Sequence, residues 1–257
     1  FTGLLSPSSG MVTILGEDPY NSNYVRRKFG CVLETNGLYE DLTLEENLLF
    51  YASLYGLKNI EARKTFYPLL EKFNLSERKK DKVGTLSKGM KQKVAFIRAL
   101  IPNPQILFLD EPTAGLDPLS QQEVRGMIKQ YAGSGMTIFF SSHNLFEVEG
   151  ICNRVGILKK GKLLTIGSLN NLQKKFGETR LEITIRKEKI RKASSLIRTK
   201  YPSIKIEKDE DKLYLGEVTE DLTPEINKLL VSSDISVKEI KMVSSKLETI
   251  YRRLMED

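Results

Sequence analysis

The run PQILFLDEPTAGLDP, residues 104–118, constrains this chain more than any other stretch. Ile106–Leu109 is apolar enough for a buried strand, and it ends in two adjacent acids, Asp110 and Glu111. Paired negative charge at the end of a buried strand is costly unless a cation shares it. A cation suited to two carboxylates is Mg2+ carrying a nucleotide phosphate. In that chemistry Asp110 holds the metal, directly or through water, and Glu111 orients or deprotonates an attacking water. Taken alone, the pair fits a strand end with two solvated acids equally well.

The surroundings of that strand define a fold class. Short β-rich runs (MVTIL, QILFL and MTIFF) occur in the first 165 or so residues, with longer amphipathic segments between the later two. Such alternation predicts an α/β domain with a largely parallel sheet. TLEENLLFYASLYG opens on Thr43-x-x-Glu46, a capping-box pattern, and IEARKTFYPLLEKFNL reads as a second helix that Pro68 breaks or kinks. Beyond LNNLQKKFG the pattern changes to βαββαβ, the ferredoxin-like order, over residues 177–257.

Composition excludes several classes. At 257 residues, with 40% hydrophobic and 28% charged residues, the chain has material for one large or two modest cores. No apolar run reaches the roughly 18 residues of a membrane span, and no signal-peptide pattern opens the sequence. Cys31 and Cys152 are far apart and lack metal-ligand spacing, which points to a reduced, cytosolic compartment. The net charge of +7 comes from lysines and arginines interleaved with acids, so it reads as a solvated basic surface. No aromatic-plus-basic RNA motif or zinc-finger spacing is present, and nucleic acid is not an expected partner.

Two further segments bear on the acidic pair. TLSKGMKQKVAFIRAL, residues 85–100, places Ser87 and Gly89 in a short loop ahead of a long helix, where backbone N–H groups and a positive dipole suit phosphate oxygens. His143, the only histidine, follows MTIFFSS and stands 33 residues after Asp110. Neighbouring parallel strands bring His143 and Glu111 to one sheet edge.

With LSKGM, ILFLDE, AGLD and SSH in this order, the sequence resembles the nucleotide-binding subunits of ABC transporters over about residues 1–170. The four motifs look like the family's signature loop, Walker B strand, D-loop and H-loop. The resemblance implies an α/β, P-loop NTPase-like ABC ATPase domain over residues 1–170, with a helical subdomain at about 43–100 and an accessory domain at 177–257. It implies ATP and Mg2+ as cofactors, with Asp110 serving the metal, Glu111 as catalytic base and His143 on the γ-phosphate. It further implies that Ser87, Lys88, Gly89 and Met90 close on the nucleotide of a second ATP-binding subunit, in a homo- or heterodimer coupled through Asp117. Lys88 and Met90 stand where the family has Gly and Gln. Glu34 occupies the Q-loop glutamine position, where a carboxylate contacts metal or water. The SKGMKQ wording and the C-terminal domain are similar to the export branch. The resemblance thus implies an integral membrane transporter subunit as partner and a place on the cytoplasmic face of the cell membrane.

A phosphate-cradling G-x-x-x-x-G-K-[ST] loop has one near match, Gly156 to Lys162, followed by Leu163. Its flanks read as two short strands around a KKGK turn, so a β-hairpin is expected there. FTGLLSPSSGMVTILGEDP resembles the segment that directly follows the family's phosphate-loop helix. The expectation is an N-terminally truncated ABC domain that binds ATP weakly by itself. Two other functions stay open: a soluble ABC-type ATPase acting on nucleic acid or ribosomes, and a hydrolysis-deficient regulatory partner.

Overall fold

The computed structural model describes residues 2–177, 179–216, 218 and 221–256, and the chain divides between Asn144 and Leu145 into two units. In the first unit the apolar runs pair as a parallel sheet: β1 (Phe29–Val32), β2 (Ile106–Asp110) and β3 (Thr137–Ser141), in that order. Val32 stands opposite Leu109, and Asp110 opposite Ser141. Leu107 and Leu109 are buried on one face of β2, while Ile106 and Phe108 pack against Ile14, Val25 and Phe29 on the other. Apolar cover on both faces explains why β2 reads as an unbroken apolar run.

Three helices lie in the connection from β1 to β2. α2 (Leu44–Leu54), α3 (Asn59–Lys72) and α4 (Lys88–Leu100) follow a four-residue helical turn at Asn23–Arg26, α1. The capping box forms: Glu46 N donates to Thr43 Oγ1 at 3.2 Å and Thr43 N to Glu46 Oε2 at 2.8 Å. Leu44, Leu48 and Ala52 on α2 face Ala62, Phe66 and Leu70 on α3, both sets at i, i+4 spacing and all buried. α3 continues through Pro68, contrary to the expected break. Phe66 and Leu70 are buried on either side of the proline, and this packing outweighs the backbone hydrogen bond it removes. α4 lies directly on β1. A Cβ on Gly30 would come within 2.9 Å of the Ala99 carbonyl carbon, so glycine permits this approach. α5 (Pro118–Gly133) then leads to β3.

MVTIL is not a strand. Its backbone pairing is a single bridge across its own turn, Ile14 to Glu17, with Leu15 and Gly16 at φ 52° and 82°. β propensity becomes a strand only where another strand meets the edge.

The second unit opens with α6 (Leu145–Ile151) and the hairpin β4 (Arg154–Lys159) and β5 (Lys162–Ser168). Its turn has Lys160 and Gly161 at φ 48° and 77°, both left-handed as a two-residue hairpin turn requires. The near match to a phosphate loop is therefore a hairpin. This hairpin and α7 (Leu169–Phe176) lie in the second unit. Then come β6 (Thr179–Ile185), α8 (Ile190–Lys200), β7 (Lys205–Asp209), β8 (Lys212–Gly216), α9 (Leu222–Ser232), β9 (Val237–Ser244) and α10 (Leu247–Glu256). The sheet order β7-β8-β6-β9, all antiparallel, is the ferredoxin-like arrangement. Leu181, Ile183 and Leu213 form its core with Ala193 and Ile197 of α8 and Ile226 and Leu230 of α9.

Two outcomes follow from this packing. Phe66→Ala is expected to lower unfolding free energy by about 3–5 kcal/mol in chemical denaturation, whereas Ile60→Ala, at an exposed position of α3, changes it by less than about 0.5 kcal/mol. Burial pushes the Cys152 thiol up to about 11. Below that pH it stays protonated, and only the thiolate attacks. Exchange with a small disulfide reagent at pH 8 should run roughly 10-fold slower than for a free cysteine, since greater nucleophilicity offsets part of the lower thiolate fraction. The rate should still be rising at pH 10.

Candidate functional site

At the end of β2 the backbone reverses. Asp110 is exposed, and Glu111 takes a left-handed φ of 46°, an uncommon conformation for a residue with a side chain. Two hydrogen bonds hold the reversal: Glu111 N donates to the Ser141 carbonyl at 3.1 Å, and Ala114 N to the Glu111 carbonyl at 3.1 Å. The turn carries the Glu111 carboxylate to the end of β3. There the backbone N–H and the ring Nδ1 of His143 both meet Glu111 Oε1 at 2.9 Å. Alongside, the Ser141 hydroxyl donates to Asp110 Oδ1. Two carboxylates, a hydroxyl and an imidazole thus share one sheet edge. Register adds Glu34: it is exposed and lies two residues beyond Val32, the end of β1 at the same edge.

The donor set suits a particular cation. Among the described residues no three His, Cys, Asp or Glu side chains form an all-protein metal cage. Exposed Asp110 beside Ser141 offers hard oxygen ligands, which fits Mg2+, a cation held by one or two carboxylates plus water and phosphate. His143 is 83% exposed while the Glu111 side chain is only 21% exposed. With Nδ1 donating to Glu111, the neutral ring presents Nε2 as an acceptor and the protonated ring presents it as a donor.

The remaining expected residues form a second group. Ser87 caps α4, its Oγ accepting from Met90 N at 3.2 Å. Lys88 takes the first helical position, and Gly89 behind it is buried. Asp117 caps α5 and accepts from Leu119 N at 3.1 Å, Ser120 N at 3.0 Å and Ser120 Oγ at 2.6 Å. The Ser120 hydroxyl, then its N–H, hold the Asp117 carboxyl below the usual carboxylate range. The two caps abut: a Cβ on Gly89 would overlap the Ser120 hydroxyl and sit 2.8 Å from its Cβ. The Lys88 ammonium lies over Gly115, whose φ is 65°.

Sequence reasoning did not single out Ser120 or Ser141. Ser141 was findable, because it sits in SSH at the position that parallel pairing sets against Asp110. Ser120 carries no sequence signal, since its place against Gly89 exists only once two helices meet. Gly89→Ala is expected to lower stability by about 1–3 kcal/mol through overpacking. Adding Ser120→Gly should recover part of that loss in a double-mutant cycle, and purely additive effects would show that the two residues do not touch.

A profile of the family described as ABC transporter matches residues 1–114. The linearmycin resistance ATP-binding protein LnrL of Bacillus subtilis (strain 168) is 36% identical over 189 residues, covering 72% of this chain and 60% of that protein. The bacitracin transport ATP-binding protein BcrA of Bacillus licheniformis is 35% identical over 260 residues, 98% of this chain and 81% of that protein. Among solved structures, one titled as the ATP binding subunit of an ABC transporter superposes with a TM-score of 0.61 at 35% identity, covering 68% of this chain and 73% of that one. Family profile, near full-length relative and three-dimensional likeness agree with one another, and the chain belongs to the ATP-binding proteins of ABC transporters.

Proposed function

We propose that this protein is the ATP-hydrolysing motor subunit of an exporter, working on the cytoplasmic face of the membrane with a separate membrane-embedded subunit and a second ATP-binding subunit. The observation that carries the reading is the joining of Glu111 to His143 beside Asp110 and Ser141. The export direction draws on the two relatives named for linearmycin resistance and bacitracin transport. Among the described residues no helix is long and apolar enough to cross a membrane.

In this reading Asp110, steadied by the Ser141 hydroxyl, would hold Mg2+, and Glu34 at the neighbouring strand end would serve metal or water. Mg2+, when bound, neutralises charge on the phosphate oxygens. Glu111 accepts the proton of the attacking water. His143 keeps that carboxylate turned toward the reacting phosphate, because its N–H and Nδ1 grip one oxygen. On the ring's far side Nε2 meets the γ-phosphate. Ser87, Lys88, Gly89 and Met90 present the positive end of α4 to a nucleotide on the second subunit, and Asp117 links the two sites through the cap of α5.

The test is phosphate release by the full-length subunit assembled with its membrane partner. Glu111→Gln should lower kcat about 10²–10⁴-fold, the usual worth of a general base, while the KM for ATP changes little. Turnover equal to wild type would remove Glu111 from the chemistry and the reading with it.

A further inference from the structure

Residues 33–39, which carry Glu34, form neither helix nor strand, so their backbone groups need partners from elsewhere. One guanidinium supplies two of them and a third bond to the end of β1. Arg98 Nη1 donates to the Asn36 carbonyl at 2.5 Å and the Gly37 carbonyl at 3.4 Å, and Nη2 donates to the Cys31 carbonyl at 3.3 Å. Its Cζ lies 4.9 Å from the centre of the Tyr51 ring, and the Tyr51 hydroxyl donates to the same Gly37 carbonyl. One helix side chain therefore spans the end of β1 and the middle of the loop, and a ring from α2 flattens it in place.

Lys91, seven residues earlier and on the same face of α4, pairs with Glu40 at 2.7 Å. Glu40 is largely exposed and such pairs contribute little, so Arg98 dominates the attachment. We infer that Arg98 is a positioning residue that fastens the Glu34 loop along α4, making the loop and the Ser87–Gly89 end of that helix shift as one body when nucleotide binds. Ser87 and Arg98 are eleven residues apart on one uninterrupted helix, about 16 Å at 1.5 Å per residue. A helix of that length transmits displacement between its ends without bending. Lysine cannot replace the arginine, because a single ammonium cannot reach the Asn36 and Cys31 carbonyls in one plane.

The fastening follows from the contacts themselves; its response to nucleotide rests on the ATP-site reading. Both halves are tested by amide hydrogen exchange on the full-length subunit, wild type and Arg98→Lys. Without nucleotide, exchange over residues 33–40 should accelerate about 10-fold in Arg98→Lys, with residues 106–110 of β2 unchanged and Lys91→Ala shifting the loop by less than about 3-fold. An unchanged loop, or equal acceleration in β2, would overturn the fastening. With ATP and Mg2+, residues 85–90 and 33–40 should slow together in wild type, and only 85–90 in Arg98→Lys. If both segments still slow together in Arg98→Lys, the linkage is wrong although ATP binds. Should wild type show no slowing anywhere, the ATP reading fails, and the nucleotide-free comparison still decides the fastening.

Discussion

Parallel pairing of β2 with β3, which sets Asp110 opposite Ser141, is the constraint on which the rest of the site depends. Strands of one direction end at one edge, so side chains far apart in sequence meet there without any dedicated scaffold. The meeting is completed by the left-handed backbone of Glu111. Such a conformation costs about 1–3 kcal/mol for a residue with a side chain. The Glu111 N–H to Ser141, the Ala114 N–H and the two His143 donors offset it. Were β2 one residue longer in extended form, the Glu111 carboxylate would point to the opposite face of the sheet from the one Asp110 takes. The turn moves it instead along the edge toward β3.

The second constraint is the approach of α4 to its neighbours. Gly30 lets the helix rest on β1, Gly89 lets its first turn touch α5, and Arg98 ties its last turns to the Glu34 loop. Two of these contacts are the absence of a side chain and one is the largest polar side chain available. Both serve the same end: α4 is held along its whole length, so its N-terminus has little freedom relative to the sheet. The proposed closure on a second nucleotide needs such stiffness, because a loosely held helix end would absorb binding energy in its own ordering.

What the sequence disclosed and what it concealed divide along the range of the interactions. Local chemistry was readable: the Thr43–Glu46 box, the Lys160–Gly161 turn and the βαββαβ alternation all depend on residues within a few positions of one another. The strand β2 was readable because apolar cover on both faces writes a continuous apolar run, and β3 was readable from its apolar run although Phe139 on it is exposed. MVTIL is also β-rich and apolar yet forms no strand, since composition does not say whether a partner edge exists. Pro68 signalled a break that long-range packing of Phe66 and Leu70 overrode. RLEITIR reads as half-exposed, but Glu182 is buried under Lys212 and Lys241, whose ammonium groups stand 2.9 and 3.5 Å from it. Lysine stems shield the carboxylate that their charges neutralise. Of the proposed site, the motif residues were visible and their supports were not. Arg98 lies inside an amphipathic helix where any long basic residue fits the pattern.

Exposure sets one more requirement. Glu111 is mostly covered by its neighbours, but the imidazole that grips it is 83% open to solvent, and Asp110, Glu34, Ser87 and Lys88 are exposed as well. Charge stabilisation of a transferring phosphoryl group is strong only where water is excluded and the dipoles are fixed. In open solvent the same groups would spend their hydrogen bonds on water. The proposed chemistry therefore requires a second surface over this edge. The exposed cap of α4 is a surface of the matching kind, positively polarised and carrying a lysine, set against an edge that would hold a polyphosphate. Each such chain has one edge to be covered and one cap to offer. In the proposed pairing a second ATP-binding subunit, identical or different, would cover this edge and receive this cap in return.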